Sequence, residues 1–88
     1  MLPTTDEHKF WQLTQAAAEI FKYRREHTET KDGPWGFDRG GVSDDKTSAY
    51  TLFSHVALTG WGKDELTISA KHQPDGSWKV SHVIKRAA

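Results

Sequence analysis

Five histidines, His8, His27, His55, His72 and His82, are the side chains of this 88-residue chain best suited to acid–base or metal chemistry. None stands in a close ligand pair such as H-E-x-x-H. Without that spacing, a single histidine is satisfied by a hydroxyl or carbonyl rather than by a metal. His82 lies between Val80 and Ile84 in a strand-like run. Burial there disfavours the charged ring and makes His82 the one candidate acid/base. No nucleophile is adjacent, so an enzyme would have to bring His72 or Tyr50 to it in a pocket between helix and sheet.

The glycines of GPWGFDRGG, Gly33 to Gly41, match neither G-x-x-x-x-G-K nor G-x-G-x-x-G. Asp38, Asp44 and Asp45 lack the spacing of a calcium loop. The expectation is therefore no catalytic constellation, no cofactor and no metal.

Composition narrows the function classes further. There is no cysteine, which removes disulfides and thiolate zinc sites and fits a reducing compartment. Twelve basic residues balance twelve acidic ones, whereas a dedicated nucleic-acid binder carries a basic excess. Nucleic acid is thus an unfavoured partner. No apolar run approaches the roughly 20 residues that span a bilayer, and the opening MLPTTDEHKF lacks the pattern of a secretory signal. The expected location is cytoplasmic, with no membrane contact.

The elements that must position these residues begin with a helix. Thr4 or Thr5 is a candidate N-cap, and Thr4-x-x-Glu7 has the capping-box spacing. Phe10, Leu13, Ala17, Ile20 and Phe21 form one apolar stripe. Lys22, Arg24 and Arg25 complement the dipole at the far end, so the spacing predicts a helix over about 5–27. Residues 28–47 read as a loop in which PWGFD, with Trp35 and Phe37 at strand period, makes a short edge strand.

Residues 48–85 alternate in polarity and read as three strands, with GWG at 60–62 and PDG at 74–76 as three-residue turns ending in a glycine bulge. Two such turns set the rows Val56–Leu66–Ile84, Ser54–Ile68–His82, Leu52–Ala70–Val80 and Tyr50–His72–Trp78 on the dry face. Thr51, Phe53, His55, Thr67 and Ser69 then fall on the wet face, with Lys71, Lys79, Ser81 and Val83. The expected fold is one α+β domain over 1–88. An amphipathic helix packs on a three- to four-stranded antiparallel meander in the order α-β-β-β-β. The closing DGSWKVSHVIK resembles the last hairpin of cystatin-like or NTF2-like α+β folds, which implies a helix lying across a curved sheet and carries no function with it.

On this reading Phe53, His55 and Val83 form an apolar patch beside Lys71 and Lys79, open to a protein partner or to a second copy in a homodimer. Trp35 and Phe37 cover the open end of the core and are the second-ranked contact residues. The expected function is non-enzymatic protein binding of the inhibitor, adaptor or immunity-type accessory kind found in phages and mobile elements. The alternatives are a histidine acid/base enzyme and a binder of single strands that stacks bases on Phe53.

Overall fold

A computed structural model describes residues 14–27, 30, 35–56 and 62–86. The chain is α+β: helix α1 (Gln15–Glu26) precedes strands β1 (Gly36–Val42), β2 (Ser48–Val56), β3 (Lys63–His72) and β4 (Trp78–Lys85). The strands form one antiparallel sheet in the order β1-β2-β3-β4, and α1 packs across its middle and β4 side. PWGFD thus contributes to a true edge strand, longer than its aromatic pair suggested.

α1 starts where Thr14 stops the backbone. Thr14 is extended (φ −154°, ψ 170°), and its hydroxyl accepts from the Ala17 N–H at 3.3 Å, satisfying one of the orphan donors of the first turn. The continuous helix expected over about 5–27 is therefore not formed. The capping positions Thr4 and Thr5, and Phe10 and Leu13, lie outside the described residues. Ala16, Ala17 and Ile20 are fully buried, and the two small side chains let the helix axis approach the sheet closely. Phe21, assigned to the apolar stripe, instead lies outside the core beneath the Arg25 guanidinium, 4.9 Å from its ring centre. At the C-terminal end, the Thr30 hydroxyl is within hydrogen-bond distance of the Arg24 and His27 carbonyls at 3.0 and 2.8 Å.

The two turns predicted to be alike differ. Between β3 and β4, Gly76 N–H donates to the Gln73 carbonyl at 3.0 Å, and Gln73 N–H donates to the Ser77 carbonyl at 2.8 Å. Gly76 has φ +90°, so a side chain there would be strained. Asp75 accepts from the Ser77 N–H and hydroxyl, which hold its carboxyl below the usual range. This is the predicted bulge turn, and it sets the predicted rows Leu66–Ile84, Ile68–His82, Ala70–Val80 and His72–Trp78.

Between β2 and β3 the connection is six residues, 57–62, because Val56 pairs with Lys63. Gly62 has the expected positive φ of 73°, but the strand it feeds pairs three residues away from the predicted register. Three is odd, so every β2 side chain changes face. The dry rows are Val42–Ala49–Ala70–Val80, Gly40–Thr51–Ile68–His82 and Phe37–Phe53–Leu66–Ile84. A bulge at Asp38 re-phases β1 so that Phe37, Gly40 and Val42 all face α1.

The correction is physical. Phe53 is 1% exposed and sits at the centre of the core with Ile20, Leu66 and Ile68. Burying such a ring stabilises by about 1.5–3 kcal/mol, more than the penalty of turning Tyr50 outward. Leu52, predicted to face the helix, points to the other side of the sheet and is still only 9% exposed.

Candidate functional site

The first expected contact patch does not exist. Phe53 lies under α1, with the Arg24 guanidinium 4.5 Å from its ring centre, while Val83 is 68% exposed on the opposite face. His55 also faces α1's side. Its Nε2 is 3.4 Å from Asp64, and the same Asp64 carboxylate oxygen accepts from Arg86 at 3.2 Å. Trp35 stands edge-on to His55 with ring centres 4.5 Å apart, and Arg86 lies 5.7 Å from the Trp35 ring. Arg24 donates to the Trp35 carbonyl at 3.2 Å.

Trp35 is 8% exposed, and Phe37 packs edge-to-face on Phe53 at 6.0 Å. Both aromatics of the glycine-rich stretch therefore close the end of the core, in keeping with the first of the two roles weighed for them. Asp64 and Arg86 were missed, although they lie one row beyond Leu66–Ile84 in the register the sequence supports.

The candidate acid/base is also resolved. His82 Nδ1 is 2.6 Å from the Tyr23 hydroxyl. His27 stacks on Tyr23 with ring centres 3.7 Å apart and 16° between planes. The i, i+4 spacing of Tyr23 and His27 on α1 was the available signal. His82 is not joined by either proposed companion: Tyr50 faces the far side of the sheet, and His72 packs on Trp78 at 4.9 Å. Beside Tyr23, a groove of about 220 Å³ runs between α1 and β4, walled by Glu19, Glu26 and Trp78. Among the described residues no group of three metal-ligating side chains converges. No helix there is long and apolar enough to cross a membrane.

An open bay of about 500 Å³ lies on the face away from α1. Its floor is the backbone of Gly41, Val42, Ala49 and Ala70, whose side chains are buried or absent. Its walls are Tyr50, Ser48, Ser69 and Lys71. Tyr50 leans across Gly41 so closely that a β-carbon there would stand 2.7 Å from the ring, so glycine shapes the bay. Ser43, at the rim, is committed to the β1–β2 turn: its hydroxyl donates to Asp45 at 2.7 Å. Hydrogen bonds from Ser43 and from Thr47 lower the Asp45 pKa to about 2.

Lys71 lies directly opposite Lys79. The Gln73–Ser77 bond makes that row hydrogen-bonded, and alternation makes the Lys71–Lys79 row hydrogen-bonded too, with about 5.5 Å between α-carbons. Both ammonium groups leave the sheet on the bay side, followed by exposed Ser81 and Val83.

No family model, curated protein or solved structure matches this chain.

Proposed function

We propose that this chain is a small non-enzymatic protein-binding protein of the cytoplasm, an inhibitor, adaptor or immunity-type accessory protein that works through the sheet face away from α1. The observation that carries the reading is the open bay walled by Tyr50 and Lys71, with Lys79 and exposed Val83 on the same face of the sheet, opposite α1. A concave, partly apolar surface with a few polar groups at its wall is the form a contact site takes. The contact residues are Lys71, Lys79 and Val83 with Tyr50. Phe53, Phe37, Trp35 and His55 belong to the core end and act on binding only by holding the fold.

The test is association of the purified protein, by light scattering for a second copy and by capture from its native host for another protein. Val83→Asp abolishes association while leaving circular dichroism and the melting midpoint unchanged. Association that persists in Val83→Asp and in Lys71→Glu/Lys79→Glu removes this face from consideration.

An acid/base role for His82 has one observation in its favour, the short bond to Tyr23. That bond engages the ring nitrogen nearest the helix, and the groove beside it is the smaller concavity. Binding accounts for more of the surface.

A further inference from the structure

We propose that the bay receives carboxylate side chains from the partner protein, so that the segment docking on this face is acidic. This rests on the reading of the outer face as the contact surface and adds the chemistry of what it meets.

Three features lead there. Lys71 and Lys79 are direct cross-strand neighbours, and like charges so placed repel. Among the described residues neither has an acidic partner, whereas Arg39, Arg86 and Lys85 each have one nearby. Arg39 lies 3.6 Å from Asp38, Arg86 donates to Asp64, and Lys85 is paired across strands with Glu65. Lys71 and Lys79 are therefore an uncompensated like-charge pair at the bay end of the sheet.

The second feature is donors. The hydroxyls of Ser48, Ser69 and Ser81 share this face and make no hydrogen bond among the described residues, so they are free to complete the shell of a carboxylate seated between the lysines. Asp45, in the β1–β2 turn outside the bay lining, makes no ion pair with either lysine among the described residues. Its Oδ1 already accepts from the Ser43 hydroxyl and from the Thr47 N–H and hydroxyl.

The third feature is shape. Tyr50 provides an apolar wall, and the glycine beneath it deepens the floor. A bare charged surface has no need of either. An acidic side chain flanked by an aliphatic or aromatic one fits both parts of the bay. The neutral chain as a whole gives no long-range field, so the recognition is confined to this patch.

The experiment has a stability arm and a binding arm. Lys71→Glu replaces a repelling pair by an attracting one, so its melting midpoint rises by about 1–3 °C. In the binding arm the wild-type protein is titrated by amide NMR with a synthetic peptide alternating glutamate and leucine, with its glutamine counterpart, and with citrate. The glutamate peptide shifts the amides of Ser69, Lys71, Lys79 and Ser81, the glutamine peptide does not, and Lys71→Glu/Lys79→Glu weakens the effect at least about tenfold, one unit of charge-assisted contact. Binding falls as salt is raised.

A midpoint that falls in Lys71→Glu, or equal shifts from both peptides, overturns the proposal. Citrate acting as strongly as the peptide at equal carboxylate concentration marks a site for free organic anions and overturns the protein source. Stronger binding of an oligothymidine than of the peptide overturns it in favour of nucleic acid. If host-partner capture fails in Val83→Asp but survives Lys71→Glu/Lys79→Glu, the contact face stands and the acidic partner falls. If it survives both, the face itself falls.

Discussion

The two faces of the sheet treat charge in opposite ways. Against α1, Asp64 gathers His55 and Arg86 on one carboxylate, and Trp35 closes over the group. On the other face Lys71 stands opposite Lys79, and among the described residues neither pairs with a carboxylate. A charge taken out of water must be compensated within the fold, because leaving it alone costs several kcal/mol. A charge left in water tolerates a like neighbour at a cost of tenths of a kcal/mol. The compensated cluster therefore reads as architecture, and the uncompensated pair is the part of the sheet to which the proposed acidic contact is assigned.

The largest effect that tests this division belongs to Phe53. Phe53→Ala removes the centre of the helix-side core and destabilises by about 3–5 kcal/mol, a large part of what a domain this small possesses. Urea unfolding measures it, and a loss under about 1 kcal/mol would return Phe53 to the surface.

Next comes Asp64→Asn, which leaves Arg86 and His55 without their shared anion. Because Arg86 is well exposed, the cost is about 1–3 kcal/mol, below that of a fully buried pair. An equal loss in Lys79→Asn would erase the distinction between the two faces.

Thr51→Val sharpens the comparison from the other direction. Thr51 is fully buried in the row of Gly40 and Ile68, and its hydroxyl has no hydrogen-bond partner among the described residues. Valine keeps the shape and removes the unpaired group, so stability rises by about 1 kcal/mol.

The smallest effect is acid sensitivity at the turns. The folded pKa of Asp45 is about 2 against an ordinary 3.8, and that of Asp75 is also lowered. Depressed carboxyl groups stabilise the fold above their unfolded pKa and cease to do so as pH falls through the folded one. For Asp45 that contribution is therefore complete above about pH 4 and is lost towards pH 2, and for Asp75 it is lost in the same direction. Asp45→Asn flattens that limb in acid melts and leaves the neutral-pH signature of both faces alone.

The β3–β4 hairpin was legible because its register is local. Pro74, Asp75 and Gly76 specify a three-residue bulge turn, and the alternation of Leu66, Ile68, Val80 and Ile84 agrees with it. The same logic failed for β2, where GWG offered an equally good short turn but the connection runs six residues. Both registers of β2 carry apolar residues on either face: Ala49, Thr51 and Phe53 alternate with Tyr50, Leu52 and Ser54. Alternation alone does not choose between them.

The bay followed the same pattern. Lys71 and Lys79 were placed correctly on the hydrated face, because they belong to the well-specified hairpin. Tyr50 was assigned to the wrong side along with the rest of β2, which hid the wall of the bay and produced a patch around Phe53 that the fold buries.

By itself, the sequence determined the order α-β-β-β-β, the antiparallel meander, the β3–β4 register and the hydrated side of its last two strands. Each follows from short-range chemistry: turn residues, helix periodicity and alternation of polarity. Tertiary structure alone decided which side of β2 is dry, and that Asp64, His55 and Arg86 share one end of the core. Those choices depend on which large side chain fits beneath α1. Phe53, stacked between Phe37 and Leu66 under Ile20, fills that space, and no pattern within β2 announces it.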